Sequence, residues 1–187
     1  MYTAVVLNHF RGYPDLMDTL SDEIRYAKVL NIINNSSASN TIFLSNESVY
    51  IGTDKADKKL ASLRGISETI GHRWIDFHEE SLSEILNMIK LPQSGPHHIY
   101  HEGIDLTSEN TTVVMGGTNT AGCLLWNSPP AAKNWVDQGY HVDFYLSMCA
   151  DYQSPGLNQS DKNQMAFAGL YEYIKKYNLI NKIDIYY

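Results

Sequence analysis

Cys123 stands directly behind a glycine-rich turn, Gly116-Gly117-Thr118-Asn119-Thr120-Ala121-Gly122, which itself follows the apolar, β-branched run Thr111 to Met115. A cysteine placed after a strand and a turn, where a helix begins, meets backbone N–H groups that have no intrahelical partner. Those groups favour an adjacent anion, lower a thiol pKa, and receive an oxyanion when a thiolate attacks a carbonyl. Residue type and position agree on a nucleophile. The competing reading is a small buried hydrophobe, a common fate of free cysteine. For proton transfer the sequence offers His101, at the end of His97-His98-Ile99-Tyr100-His101, and Asn8, at the end of the first apolar run. Imidazole titrates near neutrality, and an amide can fix the orientation of its ring, so Cys123, His101 and Asn8 match the residue types of papain-like proteases. The spacing leaves open which of His98, Tyr100 and His101 faces the sulfur. His9, beside Asn8, is turned away by strand alternation unless the strand ends there. Cys149 and Asp151 fall near the same end of the sheet, with Cys149 read as structural.

These residues need elements to position them. Thr3 to Leu7 reads as a strand buried on both faces. From Pro14-Asp15, the stripe Leu16, Leu20, Ile24, Ala27, Leu30, Ile33 predicts an amphipathic helix, which Asn34-Asn35-Ser36-Ser37 ends. Thr41 to Leu44 is the second strand. Asp57 to Arg64 reads as a short helix, and Ser81 to Lys90 as a longer one with Leu82, Ile85, Leu86 and Ile89 on one face. Two prolines and a glycine make Leu91 to Pro96 a loop. His97 to His101 is expected to be the third strand. After the strand Thr111 to Met115, a helix is expected near Cys123. Ser128 before Pro129-Pro130 predicts an N-cap for a helix running to Gln138, with Gly139 as its C′ residue. Tyr140 to Leu146, Ser160 to Tyr177 and Lys182 to Tyr186 read as strand, helix and strand. The alternation predicts one α/β domain over residues 1–187: a doubly wound, mostly parallel sheet with helices on both faces, Rossmann-like in its three layers.

The 187 residues are 43% hydrophobic and 19% charged, too apolar for a disordered chain. Fourteen basic against 21 acidic residues give a net charge of −7. Neither nucleic acid nor an anionic membrane is drawn to such a surface. Two cysteines argue against a disulfide framework, and no stretch approaches a membrane span, so a soluble, cytoplasmic protein is expected.

Gly117-Thr118-Asn119-Thr120-Ala121-Gly122-Cys123-Leu124 resembles the nucleophile turn of the isochorismatase-like cysteine hydrolases, with glycine six before and threonine three before the cysteine. The similarity continues through Ala131-Ala132, Gly139-Tyr140-His141-Val142 and Cys149-Ala150. It covers most of Thr111 to Leu170 and, more loosely, Thr3 to Leu44. The resemblance implies hydrolysis of a small amide, ureido group or vinyl ether by Cys123. It also implies an oxyanion held at the backbone of Asn119 and Cys123, a substrate lined by Gly117, Thr118, Asn119, Thr120, Gly122 and Tyr100, and oligomers of the chain. No cofactor is implied. The segment before Cys123 is short for the family, Pro129-Pro130 lengthens the path to Gly139, and three site features also depart. Asn8 replaces its aspartate, Ile99-Tyr100-His101-Glu102 lacks its lysine, and no aspartate-x-histidine cluster follows the second strand, so the metal site of nicotinamidases is missing. Two expectations follow: a hydrolase rebuilt on Cys123, His101 and Asn8, or a non-catalytic relative that binds a small molecule or a partner.

Overall fold

A computed structural model describes residues 1–8, 10, 19–46, 54–118, 124–125, 130–150 and 159–187. The apolar run near the N-terminus forms strand β1 (Tyr2–Asn8). Its side chains alternate between two separate cores: Ala4 and Val6 enter one, Val5 and Leu7 the other. Ile42 and Leu44 against Phe43 on β2 (Thr41–Ser45) divide in the same way. A strand buried on both faces is therefore the middle of three layers, as its unbroken hydrophobicity requires.

Helices α1 (Thr19–Asn35) and α2 (Asp54–Ile70) cover one face through Tyr26, Val29, Ile33, Leu60 and Leu63. Strand β3 (Arg73–Asp76) follows, then α3 (Leu82–Lys90). Ser81 caps α3 in a capping box with Glu84, which satisfies N–H groups that the helix cannot. A small antiparallel pair, β4 (Gln93–Ser94) and β5 (Tyr100–His101), precedes β6 (Thr111–Thr118). Helix α4 (Ala132–Asp137), β7 (His141–Ala150), α5 (Gln159–Lys176) and β8 (Ile183–Tyr186) complete the order. Helices α3, α4 and α5 cover the second face through Ile85, Ile89, Trp135, Leu170 and Ile174. The six-stranded sheet runs β3-β2-β1-β6-β7-β8, and every neighbouring pair is parallel. This is the doubly wound, three-layer α/β architecture expected from the alternation of elements. Among the described residues no helix is long and apolar enough to cross a membrane.

Four local expectations are corrected. The third strand is β3, not His97 to His101. Pro96 begins a 3₁₀ turn in which His97 and His98 take φ of 60° and 61°, left-handed conformations that cannot extend a strand. Register instead builds β3: Trp74 stands opposite Phe43 and stacks on it at 5.2 Å, and its indole N–H donates to Ser45 Oγ, which donates to Asp76. Helix α2 runs past Arg64 through Gly65, because Leu60, Leu63 and Ser67 keep one face buried while Gly65 lies outside it. The buried stripe of α1 passes through Tyr26, Val29 and Ile33, leaving Ala27 exposed. Buried Arg25 sits beside that stripe, its guanidinium donating to the Phe10 carbonyl at 2.7 Å. Leu16 lies outside the described residues. Finally, α4 is capped at Ala131, whose N–H donates to Asn134 Oδ1 at 2.9 Å; Ser128 and Pro129 lie outside the described residues. Gly139 follows that helix with φ of 89°, as a C′ glycine should.

His72, wholly buried between α2 and β3, fixes a pH dependence. The Ser67 carbonyl 3.2 Å from Nδ1 can only accept, so Nδ1 carries the proton and Nε2 accepts from Ser36 Oγ at 3.1 Å. Burial pushes this imidazole below its ordinary value, with the hydrogen bond to the Ser67 carbonyl opposing. The unfolded chain protonates His72 near pH 6.5 while the folded chain leaves it neutral, so the unfolded state binds more protons and stability falls below about pH 6.5. Urea melts from pH 7.5 to 5.5 should show that loss, shallower in His72→Asn. An unchanged slope in the variant would exclude His72 as its source.

Candidate active site

The order of the sheet reverses between β1 and β6. Chain connections leave these two neighbours in opposite directions, which opens a crevice at their carboxyl ends where doubly wound proteins hold ligands. Asn8 ends β1 there, completely buried, and is paired in register with Gly117 of β6. Gly117 has φ of 143°, and a Cβ built on it would lie 1.7 Å from the Asn8 carbonyl oxygen. Only glycine permits that approach. On the other side, a Cβ at Gly116 would come within 2.7 Å of Met148. The β6–β7 register shifts between Met115 and Gly117, a bulge of the kind that re-aims backbone beside a site. The two glycines thus bring bare backbone to the switch point. Leu124 and Leu125 are both buried in the core that contains Met115, and a Cβ at Gly117 would lie 3.0 Å from Leu124 Cδ2.

Of the residues expected at this site, Asn8, Gly117 and Thr118 come together at the ends of β1 and β6, Thr118 closing β6 opposite Ala150. Asn119, Thr120, Gly122 and Cys123 lie outside the described residues, as do His9 and Asp151. Cys149 pairs with Gly117 in register and is buried, its Sγ 4.0 Å from the Met115 carbonyl, which fits a structural thiol.

The sheet does not bring His101 and Tyr100 to Asn8. Both belong to the hairpin beyond the free edge of β3, where Tyr100 is exposed and His98 lies in the left-handed turn. His101 shares a polar cavity of about 170 Å³ with Arg64, Glu68, His72, Arg73 and Trp74. Arg73 is in register with Ile42, and Ile42 with Ala4. Asn8 is therefore four residues along and two strands across from Arg73, roughly 16 Å at the spacings of a parallel sheet. Burial, reinforced by the positive charge of Arg73, pushes the His101 imidazole below its ordinary value, with Glu68 opposing. That imidazole stands in a different place from the crevice. Sequence reasoning misses this cavity because it misses β3; the signal is the pair Trp74-Ile75 with Phe77 beyond it, bracketed by charges. No family model matches the chain, and no curated protein or solved structure matches it at a significant level.

Proposed function

We propose that the chain takes a small molecule into the crevice at the carboxyl ends of β1 and β6, and cleaves an amide-like C–N bond in it with Cys123 as nucleophile. The observation that carries the reading is the meeting of Asn8 and Gly117 at the switch point, with Leu124, the residue next to Cys123 in sequence, packed beside them. The thiolate adds to the carbonyl carbon, and the backbone N–H groups of Asn119 and Cys123 receive the oxyanion. The C–N bond breaks, the nitrogen leaves with a proton taken from water, and a second water hydrolyses the thioester to free the acid and the thiolate. Asn8 donates and accepts hydrogen bonds without exchanging a proton, so its part is to orient the substrate. The separation of His101 from the crevice leaves proton delivery to solvent.

That same separation supports a second reading, in which the crevice binds a small molecule without turning it over. A panel of primary amides, with ammonia release and thermal shift both recorded, separates the two. The hydrolase reading expects ammonia release that falls at least about a hundredfold in Cys123→Ser. Thermal shifts without ammonia would leave binding alone. Neither signal from any member would refute the crevice as a site for such molecules.

A further inference from the structure

We propose that His141, Asp143 and Asp184 form a binding site for a first-row divalent cation of the Zn²⁺ type at the amino ends of β7 and β8. The site is distinct from the crevice, which lies at the opposite end of the sheet. His141 and Asp143 are two residues apart on β7 and so project from one face, and Asp184 of β8 stands opposite Asp143 in register. One ligand atom from each lies within 4.8 Å of the others. His141 Nε2 is 3.0 Å from Asp184 Oδ2 and 3.3 Å from Asp143 Oδ1. Nitrogen and oxygen ligands bound at about 2.0–2.1 Å around a tetrahedral Zn²⁺ stand about 3.3 Å apart, so His141 is already near ligand spacing from each carboxylate, and the carboxylates lie within 4.8 Å of each other.

Asp143 Oδ1 is shielded from solvent, and the donor beside it among the described residues is His141 Nε2 at 3.3 Å, itself a member of the cluster. Two carboxylates directly opposite on adjacent strands repel each other. Among the described residues neither forms an ion pair with a lysine or arginine. The nearby ammonium groups are engaged elsewhere: Lys28 lies over the Tyr145 ring at 4.5 Å, and Lys182 donates to the Gly139 carbonyl at 3.3 Å. The Asp184 side chain is half exposed, which gives an ion its entry and leaves a position for water. An imidazole with two carboxylates suits Zn²⁺ or Mn²⁺ better than Mg²⁺ or Ca²⁺, which prefer oxygen alone. A bound ion would tie the edge strand β8 to β7.

Chelator-treated, dialysed protein titrated calorimetrically with ZnCl₂ tests this. One equivalent should bind at micromolar concentration, with a thermal midpoint that rises with Zn²⁺, and excess Mg²⁺ should not compete. His141→Ala and the surface variant Asp184→Asn should each weaken binding by more than the about tenfold that loss of even an outer partner of a metal costs. His97→Ala/His98→Ala, which removes two exposed imidazoles, should bind as the parent does. No binding at 100 µM ZnCl₂ (a concentration about a hundredfold above a micromolar Kd), or binding unchanged in both His141→Ala and Asp184→Asn, would overturn the proposal.

Discussion

Gly117→Ala is expected to be among the most damaging single substitutions in this chain, costing about 3 kcal/mol or more in denaturant melts. Two mechanisms act together. A φ of 143° is one that residues with a Cβ rarely adopt, and the added carbon would lie 1.7 Å from the Asn8 carbonyl oxygen, where something must move. What moves is the β1–β6 pairing at the centre of the sheet, since neither backbone has slack between two packed cores. Gly65→Ala provides the contrast. That glycine sits inside α2, with nothing within 4 Å of the point an added methyl would occupy, and alanine there should add about 1 kcal/mol. A Gly117→Ala protein within about 0.5 kcal/mol of the parent, the range of ordinary surface changes, would show that the close approach of β6 to β1 is wrong.

Arg73→Leu carries the second large effect, about 3 kcal/mol. The guanidinium is buried and donates to three carbonyls: Leu91 at 2.7 Å, Met88 at 3.0 Å and Glu102 at 3.1 Å. Met88 lies in the last turn of α3 and Leu91 is its C-cap, where the carbonyls carry the helix's negative end; the Met88 carbonyl also accepts from the Leu91 N–H at 3.3 Å. Arg73 thus fastens edge strand β3 to α3 and to the segment leaving the hairpin. Leucine would fill much of the stem's volume and remove a charged donor from all three carbonyls, Met88 keeping only the Leu91 N–H. Arg73→Lys keeps the charge but not the planar fork, so it should recover only part of the loss. Hydrogen exchange at the C-terminal turn of α3 should quicken in both variants, most in Arg73→Leu. Unchanged exchange would mean that the contacts do not support the helix end.

The uneven legibility of the chain has a physical pattern. Strands β1, β2 and β6 are readable because a strand covered on both faces must be apolar throughout, and Ala4 to Leu7 or Val113 to Met115 have no other simple use. Strand β3 begins and ends in charges, and both are accommodated by distant partners: Arg73 by the end of α3, Asp76 by Ser45 and Arg64. No local window contains those partners. The helical stripe of α1 is misplaced when apolar residues count alike, whereas packing selects Tyr26 and Val29 over Ala27, and the large Phe10 ring packs edge-on against Tyr26. At the site, Asn8 and Gly117 are legible as residues at the ends of central strands. His101 is not, because the left-handed His97 and His98 turn the chain back into a hairpin instead of adding a strand to the sheet.

The claim that most depends on measurement is the ionised state of Cys123. Iodoacetamide labelling from pH 5.5 to 9, resolved by peptide mapping, reads Cys123 and Cys149 in the same sample, with buried Cys149 as the internal control. A thiolate held by backbone dipoles should label with a midpoint well below the ordinary thiol value of about 8.5, and at pH 7 at least about tenfold faster than Cys149. Equal, slow labelling of both cysteines, rising only above pH 8.5, would contradict it.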